Sequence, residues 1–262
     1  MHATIPLAVP MPSGSLLVAA MGRQSMERTS PPHRHSEGQL LGSLKGLLTV
    51  GTDAGLWIVP TVHAVWFPPN TVHWNRSHGP MEGWTVYISE EACRNLPSQA
   101  CTIRNSGLLL EAVVRAASWK TGPYDEASHR IARVILDEIS TLPSEDFCLP
   151  FPRDPRVKRV AQALIDNPSG ARDFKTWASW AAVSERTLSR QFVQETGFSF
   201  RTYRQRARLL RSLEMLAEGQ SVNLIALDLG YATASAFIAV FSKVFGKTPA
   251  AYREKMYLRG NG

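Results

Sequence analysis

The stretch GYATASAFIAVFSKVFGKTP, residues 230–249, decides the C-terminal part of the fold. It reads as a turn at Gly230-Tyr231 followed by a helix. Phe237, Val240, Phe241, Val244 and Phe245 fall at i, i+3, i+4, i+7 and i+8 and form one apolar stripe. The opposite face carries Ser235, Ala239 and Ser242, with Lys243 to one side. Such a helix is anchored by its aromatic face and presents a surface of small residues.

Working back from this stretch, the sequence is helical from residue 155 onward. Pro155 stands where the first helical position would be, and Val157, Val160, Ala161 and Leu164 share one face. Asp173, Ser184, Ser199 and Ser221 each precede a helical run as an N-cap would, Gly197 ends one as a C′ glycine, and Thr248-Pro249 starts the last. A short helix, a tight turn and a second helix occur at 173–192 and again at 221–245, which is the helix-turn-helix pattern, whose second helix enters the major groove of DNA. In the first unit that helix buries Leu188 and Phe192 and turns Arg186, Ser189 and Arg190 outward. Two arginines at i, i+4 suit guanine edges or phosphates; a solvated basic face is the alternative reading.

Two such units on one long helix resemble the AraC/XylS family of bacterial transcription regulators. The resemblance rests on SERTLSRQFVQETGFSFRTYRQRARLLRSLEML (184–216) and VNLIALDLGYATASAFIAVFSKVFGKTPAAYR (222–253). It implies a DNA-binding domain over 155–262 that reaches two successive major-groove segments of double-stranded promoter or operator DNA. By motif position the first recognition helix contacts DNA through Arg186, Ser189 and Arg190, and the second through Ala234, Ser235, Ile238 and Ala239, with Ser242 and Lys243 close by. The second helix is then a close-fitting spacer that touches thymine methyls, while Ser235, Ser242 and the helix N-terminus hold phosphates. One departure is Ala182, where the first turn often has glycine; a residue there with positive φ costs about 1 kcal/mol.

The N-terminal part differs in period and charge. Residues 1–150 carry 11 Lys/Arg against 13 Asp/Glu, net −2; residues 151–262 carry 18 against 9, net +9, so the formal +7 of the chain is concentrated in its helical part. A near-neutral module joined to a basic one fits sensing coupled to polyanion binding. Residues 1–22 read as a loose arm. Residues 23–104 hold short Val-, Ile- and Trp-rich runs such as GLWIVP, HAVWFPP and WTVYIS, separated by GTDAG, PPN and HGPMEG. The expected fold class is therefore an N-terminal cupin-like β-barrel followed by an all-α domain. Two helices over 105–142 are a candidate homodimer contact, and the proline-rich segment 143–154 reads as a linker.

The strand region also contains PPHRHSEGQLLG and FPPNTVHW. His33 and His35 alternate onto one strand face, Gln39 comes four residues after His35, and His73 lies on a later strand. This resembles the cupin pattern H-x-H-x3-E…P-x-G-x-x-H, with Gln39 for the carboxylate and Asn70 for the glycine. The resemblance implies a site for one divalent transition metal (Zn, Ni, Cu or Fe) on His33, His35, Gln39 and His73. The other reading is a pocket whose histidines bond one another or a small-molecule effector. His63, His78 and Glu37 are expected in loops or core. Trp57, Trp66, Trp74 and Trp84 are expected mostly in the core, with some available to line an effector pocket.

Cys93, Cys101 and Cys148 form no C-x-x-C pair and fit free thiols in a reducing cytosol rather than a disulfide framework. SLLVAA has no basic flank and is too short for a signal or a membrane span, so the expectation is a cytoplasmic protein without membrane association. The leading reading is a non-enzymatic, sequence-specific transcription regulator, activator or repressor, with a sensing barrel. A metal-dependent cupin enzyme with a DNA-binding tail, and a nonspecific architectural protein, are its competitors.

Overall fold

The structure is a computed structural model that describes residues 10–119, 124–145, 147–170 and 172–257. It divides into two compact units, one built from residues up to 148, and one from 149 onward with 53–56.

Two antiparallel sheets make up most of the first unit. The six-stranded sheet runs β1 (Leu17–Gln24), β8 (Met81–Ile88), β3 (Gly38–Lys45), β6 (His63–Phe67), β9 (Cys101–Arg104), β10 (Ser144–Glu145). The five-stranded sheet runs β11 (Cys148–Pro150), β5 (Gly55–Val59), β4 (Leu48–Thr52), β7 (His73–Ser77), β2 (Arg28–Thr29). Register fixes the faces. Gln39 and Leu41 pair with Tyr87 and Thr85, and Val50 with Asn75, so these residues share the inner side. Leu41, Leu48, Val50, Trp57, Val59, Val65, Phe67 and Met81 form the core between the sheets. The alternate residues Leu40, Trp66, Trp84, Val86 and Ile88 form a second core with helices α1 (Gly107–Ala117) and α2 (Glu126–Thr141).

Trp84 and Trp74 are structural. A Cβ on Gly42 would come within 2.3 Å of the Trp84 ring, and one on Gly51 within 2.3 Å of Trp74. Each indole packs directly on a glycine, which fixes both residue types at once. Trp57, Trp66 and Trp84 are all buried, as expected of core tryptophans. Trp84 in addition borders a cavity within the β unit.

Two boundaries differ from the sequence reading. The arm expected over 1–22 ends earlier, because Leu17–Gln24 pairs along its whole length with β8; its first nine residues lie outside the described ones. The linker expected over 143–154 contains β10 and β11, and β10 pairs with β9. Proline content misled the reading, since the bonded stretches are only two and three residues long and too short to show a period. The segment between the two helices expected over 105–142 also lies mostly outside the described residues.

The second unit is helical: α3 (Pro155–Asp166), α4 (Phe174–Trp180), α5 (Glu185–Thr196), α6 (Phe200–Ala217), α7 (Val222–Asp228), α8 (Ala234–Phe245) and α9 (Pro249–Tyr257). The expected caps form. Side-chain oxygens of Asp173, Ser184, Ser199 and Ser221 accept from the N–H three residues on, and Gly197 and Gly246 close α5 and α8 in the left-handed conformation. Val157, Val160, Ala161 and Leu164 are all buried on α3.

Candidate functional site

Two sites emerge, one in each unit. In the helical unit, α4 and α5 are joined by a turn in which Ala182 adopts φ 53°. The turn holds because the Ala182 N–H bonds Ser179 O at 3.0 Å and the Val183 N–H bonds Ala178 O at 3.1 Å. Leu188 and Phe192 hold α5 in the core, with Phe192 in edge contact with Phe200 and Tyr203. Arg186, Ser189 and Arg190 are exposed together on the outward face, and neither arginine has an ion-pair partner among the described residues. The second unit repeats the plan with Gly230 (φ 72°) in its turn and Phe237 and Phe241 fully buried.

On α8 the outward face is as sparse as the sequence suggests. Ser235, Ala239 and Lys243 are exposed, and Ala234 and Ile238 are half-buried. Two side chains differ from expectation. The Ser242 hydroxyl is buried and has no hydrogen-bond partner among the described residues, so it is not placed to hold a phosphate. Val244, expected on the buried stripe, is 57% exposed. Both lie at the edges of the stripe, where helical spacing alone does not say which way the neighbouring elements lie.

The linking helix α6 carries Arg201, Arg204, Arg206, Arg208 and Arg211. The structure gives several of them internal work. Arg204 and Arg208 donate to the Pro168 carbonyl at 3.2 and 3.0 Å, and Arg204 also donates to the carbonyl of Gly170. Arg206 lies over the Phe198 ring at 4.4 Å, and Arg211 pairs with Glu214 at 2.8 Å. Arg201 is exposed.

In the β unit, His33, His35 and His73 converge. One ring nitrogen from each lies within 4.8 Å of the others. The backbone sets their orientation. Nδ1 of His33, His35 and His73 lies 2.9 Å from the carbonyls of Pro31, Glu37 and Thr71, each two residues away. A neutral ring that donates from Nδ1 presents the Nε2 lone pair, the form a metal takes. His33 Nε2 and His73 Nε2 are buried without a partner among the described residues. The β7 strand starts at His73, bridged to His33 by a pair of 2.9 Å backbone bonds. Phe67 stacks on His73 at 5.0 Å, and burial there pushes the imidazole down to about 4, which keeps it neutral and available as a ligand.

Gln39 joins the cluster. Its Oε1 lies 3.1 Å from His35 Nε2, and its Nε2 donates to Thr85 Oγ1 at 3.0 Å. Tyr87 stands edge-on to His35 at 5.2 Å, its hydroxyl pushed up to about 12 by burial. The donor set of three imidazoles and one amide oxygen fits a divalent transition metal, with Asn70 in the left-handed conformation (φ 62°) at the position where the cupin pattern has glycine. His63 and His78 lie elsewhere, His63 against Phe147 and His78 bonded to Thr49. The Glu37 carboxylate lies 3.8 Å from His35 Nδ1, the nitrogen turned away from the cluster.

Residues 177–255 match a family model described as a helix-turn-helix domain. The HTH-type transcriptional regulator NimR of Escherichia coli is 34% identical over 227 residues, covering 86% of this chain and 83% of NimR. The chain belongs to the AraC family of transcriptional regulators. RipA of Corynebacterium glutamicum is 35% identical over 122 residues, 47% of this chain and 35% of its own length. A solved transcriptional regulator with an AraC-type DNA-binding domain from Chromobacterium violaceum is 24% identical over 40% of this chain and 96% of that chain, with a TM-score of 0.38.

As an AraC-family member the chain is a DNA-binding transcription regulator. Some residues around its two sites could not be found from sequence. Thr85 and Tyr87 are brought to the histidines by the pairing of β3 with β8, nearly fifty residues apart in the chain. The strand alternation of WTVYIS places both on one face but does not say what faces them. Among the described residues no helix is long and apolar enough to cross a membrane.

Proposed function

We propose that this AraC-family regulator reads its operator chiefly through α5 and senses a small effector in a cupin-like barrel, with one divalent transition metal held by His33, His35, Gln39 and His73. The observation that carries the DNA reading is the outward face of α5. Arg186, Ser189 and Arg190 stand on a capped, core-anchored helix with both guanidinium groups free of ion pairs among the described residues. Bidentate arginine contacts to guanine supply direct readout, while the small residues Ala234, Ser235, Ile238 and Ala239 let α8 sit deep in the groove and Lys243 reaches a phosphate. Sequence preference in the α8 half-site then comes from methyl contacts and DNA shape.

The metal would organise the effector end of the barrel; the chain's own part is to hold three neutral imidazoles and an amide oxygen in place. The barrel acts by binding, without turnover. Leu108 and Val114, exposed on α1, support pairing of two copies through this helix. Regulation then needs two states that differ in effector affinity.

Genome-wide DNA capture with full-length protein, with and without zinc, at near-physiological salt tests this reading. A few sharp sites sharing one motif, stronger in the half contacted by α5, are expected. A flat profile overturns it and favours nonspecific binding.

A further inference from the structure

His33 and Gln39, the members of the histidine cluster that reach it, line a narrow cavity within the β unit. The cavity and the open space at its mouth together amount to about 490 Å³. Away from His33 and Gln39 its polar lining is Gln24, Arg28 and Asn75; its apolar lining includes Leu41, Leu48 and Met81. No aspartate or glutamate lines it. Register explains the composition. Arg28 pairs with Ser77, and Ser77 and Asn75 alternate with the outward Arg76 on β7, so Arg28 lies on the same sheet face as Asn75, where it is exposed and lines the cavity from its solvent side.

The charge balance is the informative part. Arg76, on the outer side, is paired with Glu27 at 2.8 Å, and Arg23 with Glu82 at 3.2 Å. Arg28 has no ion-pair partner among the described residues; only its backbone is engaged, with the Ser77 hydroxyl. A cavity that offers a free guanidinium, two side-chain amides and an apolar wall, with no carboxylate, is complementary to a small anion with an apolar tail. A guanidinium and a carboxylate make the strongest neutralising pair available to such a site.

We infer that the barrel takes a small organic monocarboxylate, held by Arg28 with Gln24 and Asn75 and with its tail against Leu41, Leu48 and Met81. This rests on the reading of the barrel as the sensing module, but not on the metal. The narrowness of the cavity limits the tail to a few carbons.

The test uses full-length protein, butyrate as the probe and butyramide as its uncharged counterpart, with affinities measured by calorimetry before and after chelator treatment. Butyrate is expected to bind about tenfold more tightly than butyramide. Arg28→Gln should remove that difference, whereas Arg76→Gln, which breaks a pair on the outer side, should leave it unchanged. Equal binding of the two probes, no binding of butyrate at high millimolar concentration, or equal effects of the two substitutions would each overturn the inference. Metal content of Arg28→Gln, measured alongside, is expected to match the parent. Butyrate binding that persists in chelated protein supports the anion site while removing the metal from its account. Butyrate binding with unchanged operator affinity leaves the anion site standing and overturns the sensing reading.

Discussion

His35 Nε2 and Gln39 Oε1 face each other at 3.1 Å while His35 Nδ1 is already bonded to the Glu37 carbonyl. In a neutral ring that leaves two lone pairs opposed, and a shared cation turns this contact from repulsive to favourable. Replacing the amide by a carboxylate adds a negative ligand at the same reach. Gln39→Glu is therefore expected to raise zinc affinity about tenfold, ~1.4 kcal/mol, and His73→Ala to abolish tight binding. Competition against a chromogenic chelator reads both. A weaker-binding Gln39→Glu would mean that Oε1 is not directed at a cation.

Asp154 caps α3 and holds three partners at once: the Arg156 N–H at 2.9 Å, the Arg156 guanidinium at 2.7 Å and Gln191 of α5 at 3.0 Å. The Arg156 guanidinium, burial notwithstanding, holds this carboxyl well below the usual carboxylate range. A depressed folded-state value contributes stability that is complete above the unfolded value of about 3.9 and is lost as the pH falls below it. Asp154→Asn is expected to unfold at lower urea than the parent at pH 7, with the gap narrowing between about pH 5 and pH 2. A gap that stays constant with pH would show that the charge is not what matters.

Ala182 sits at φ 53° in the first helix-turn-helix turn. An L-residue there carries strain that glycine does not, and the Ala182 side chain is exposed, so nothing is lost by removing its methyl. Ala182→Gly should stabilise the helical unit by about 1 kcal/mol, less the extra entropy of glycine in the unfolded chain. Asn70, at φ 62°, should gain less from the same change, because asparagine tolerates this conformation. Urea unfolding midpoints of the two variants compare them directly.

Much of the helical unit is legible in the sequence because its signals are local. Caps at Asp173, Ser184, Ser199 and Ser221 and the stripe of α3 need only a few consecutive residues to be seen. The histidine cluster is legible for a different reason: His33 and His35 are one strand period apart, and the spacing to His73 matches a known pattern. What sequence does not show is which strands meet. Thr85 and Tyr87 reach the histidine cluster, and Arg28 the cavity, through pairings separated by about fifty residues, and nothing local marks them. The arginines of α6 illustrate the same limit. Their charge is visible, but the carbonyls of Pro168 and Gly170 that take up Arg204 lie more than thirty residues away.

That distinction among arginines separates DNA readout from folding. Arg190 is exposed with no partner among the described residues, whereas Arg204 is half-buried and bonded to three carbonyls, including Arg172 O at 3.5 Å. Arg190→Ala is expected to relax sequence preference at one operator position by about 1–3 kcal/mol with no change in the unfolding midpoint. Ser235→Ala, on the sparse face of α8, should weaken binding by less and similarly across sequences. Arg204→Ala should do the reverse of Arg190→Ala: it leaves backbone carbonyls unsatisfied and lowers stability by about 1–3 kcal/mol, while the folded fraction keeps its sequence preference. Binding-site selection on each variant, paired with denaturant unfolding, reads both effects. If Arg204→Ala changed base preference as much as Arg190→Ala does, the linking helix would have to be counted among the reading elements.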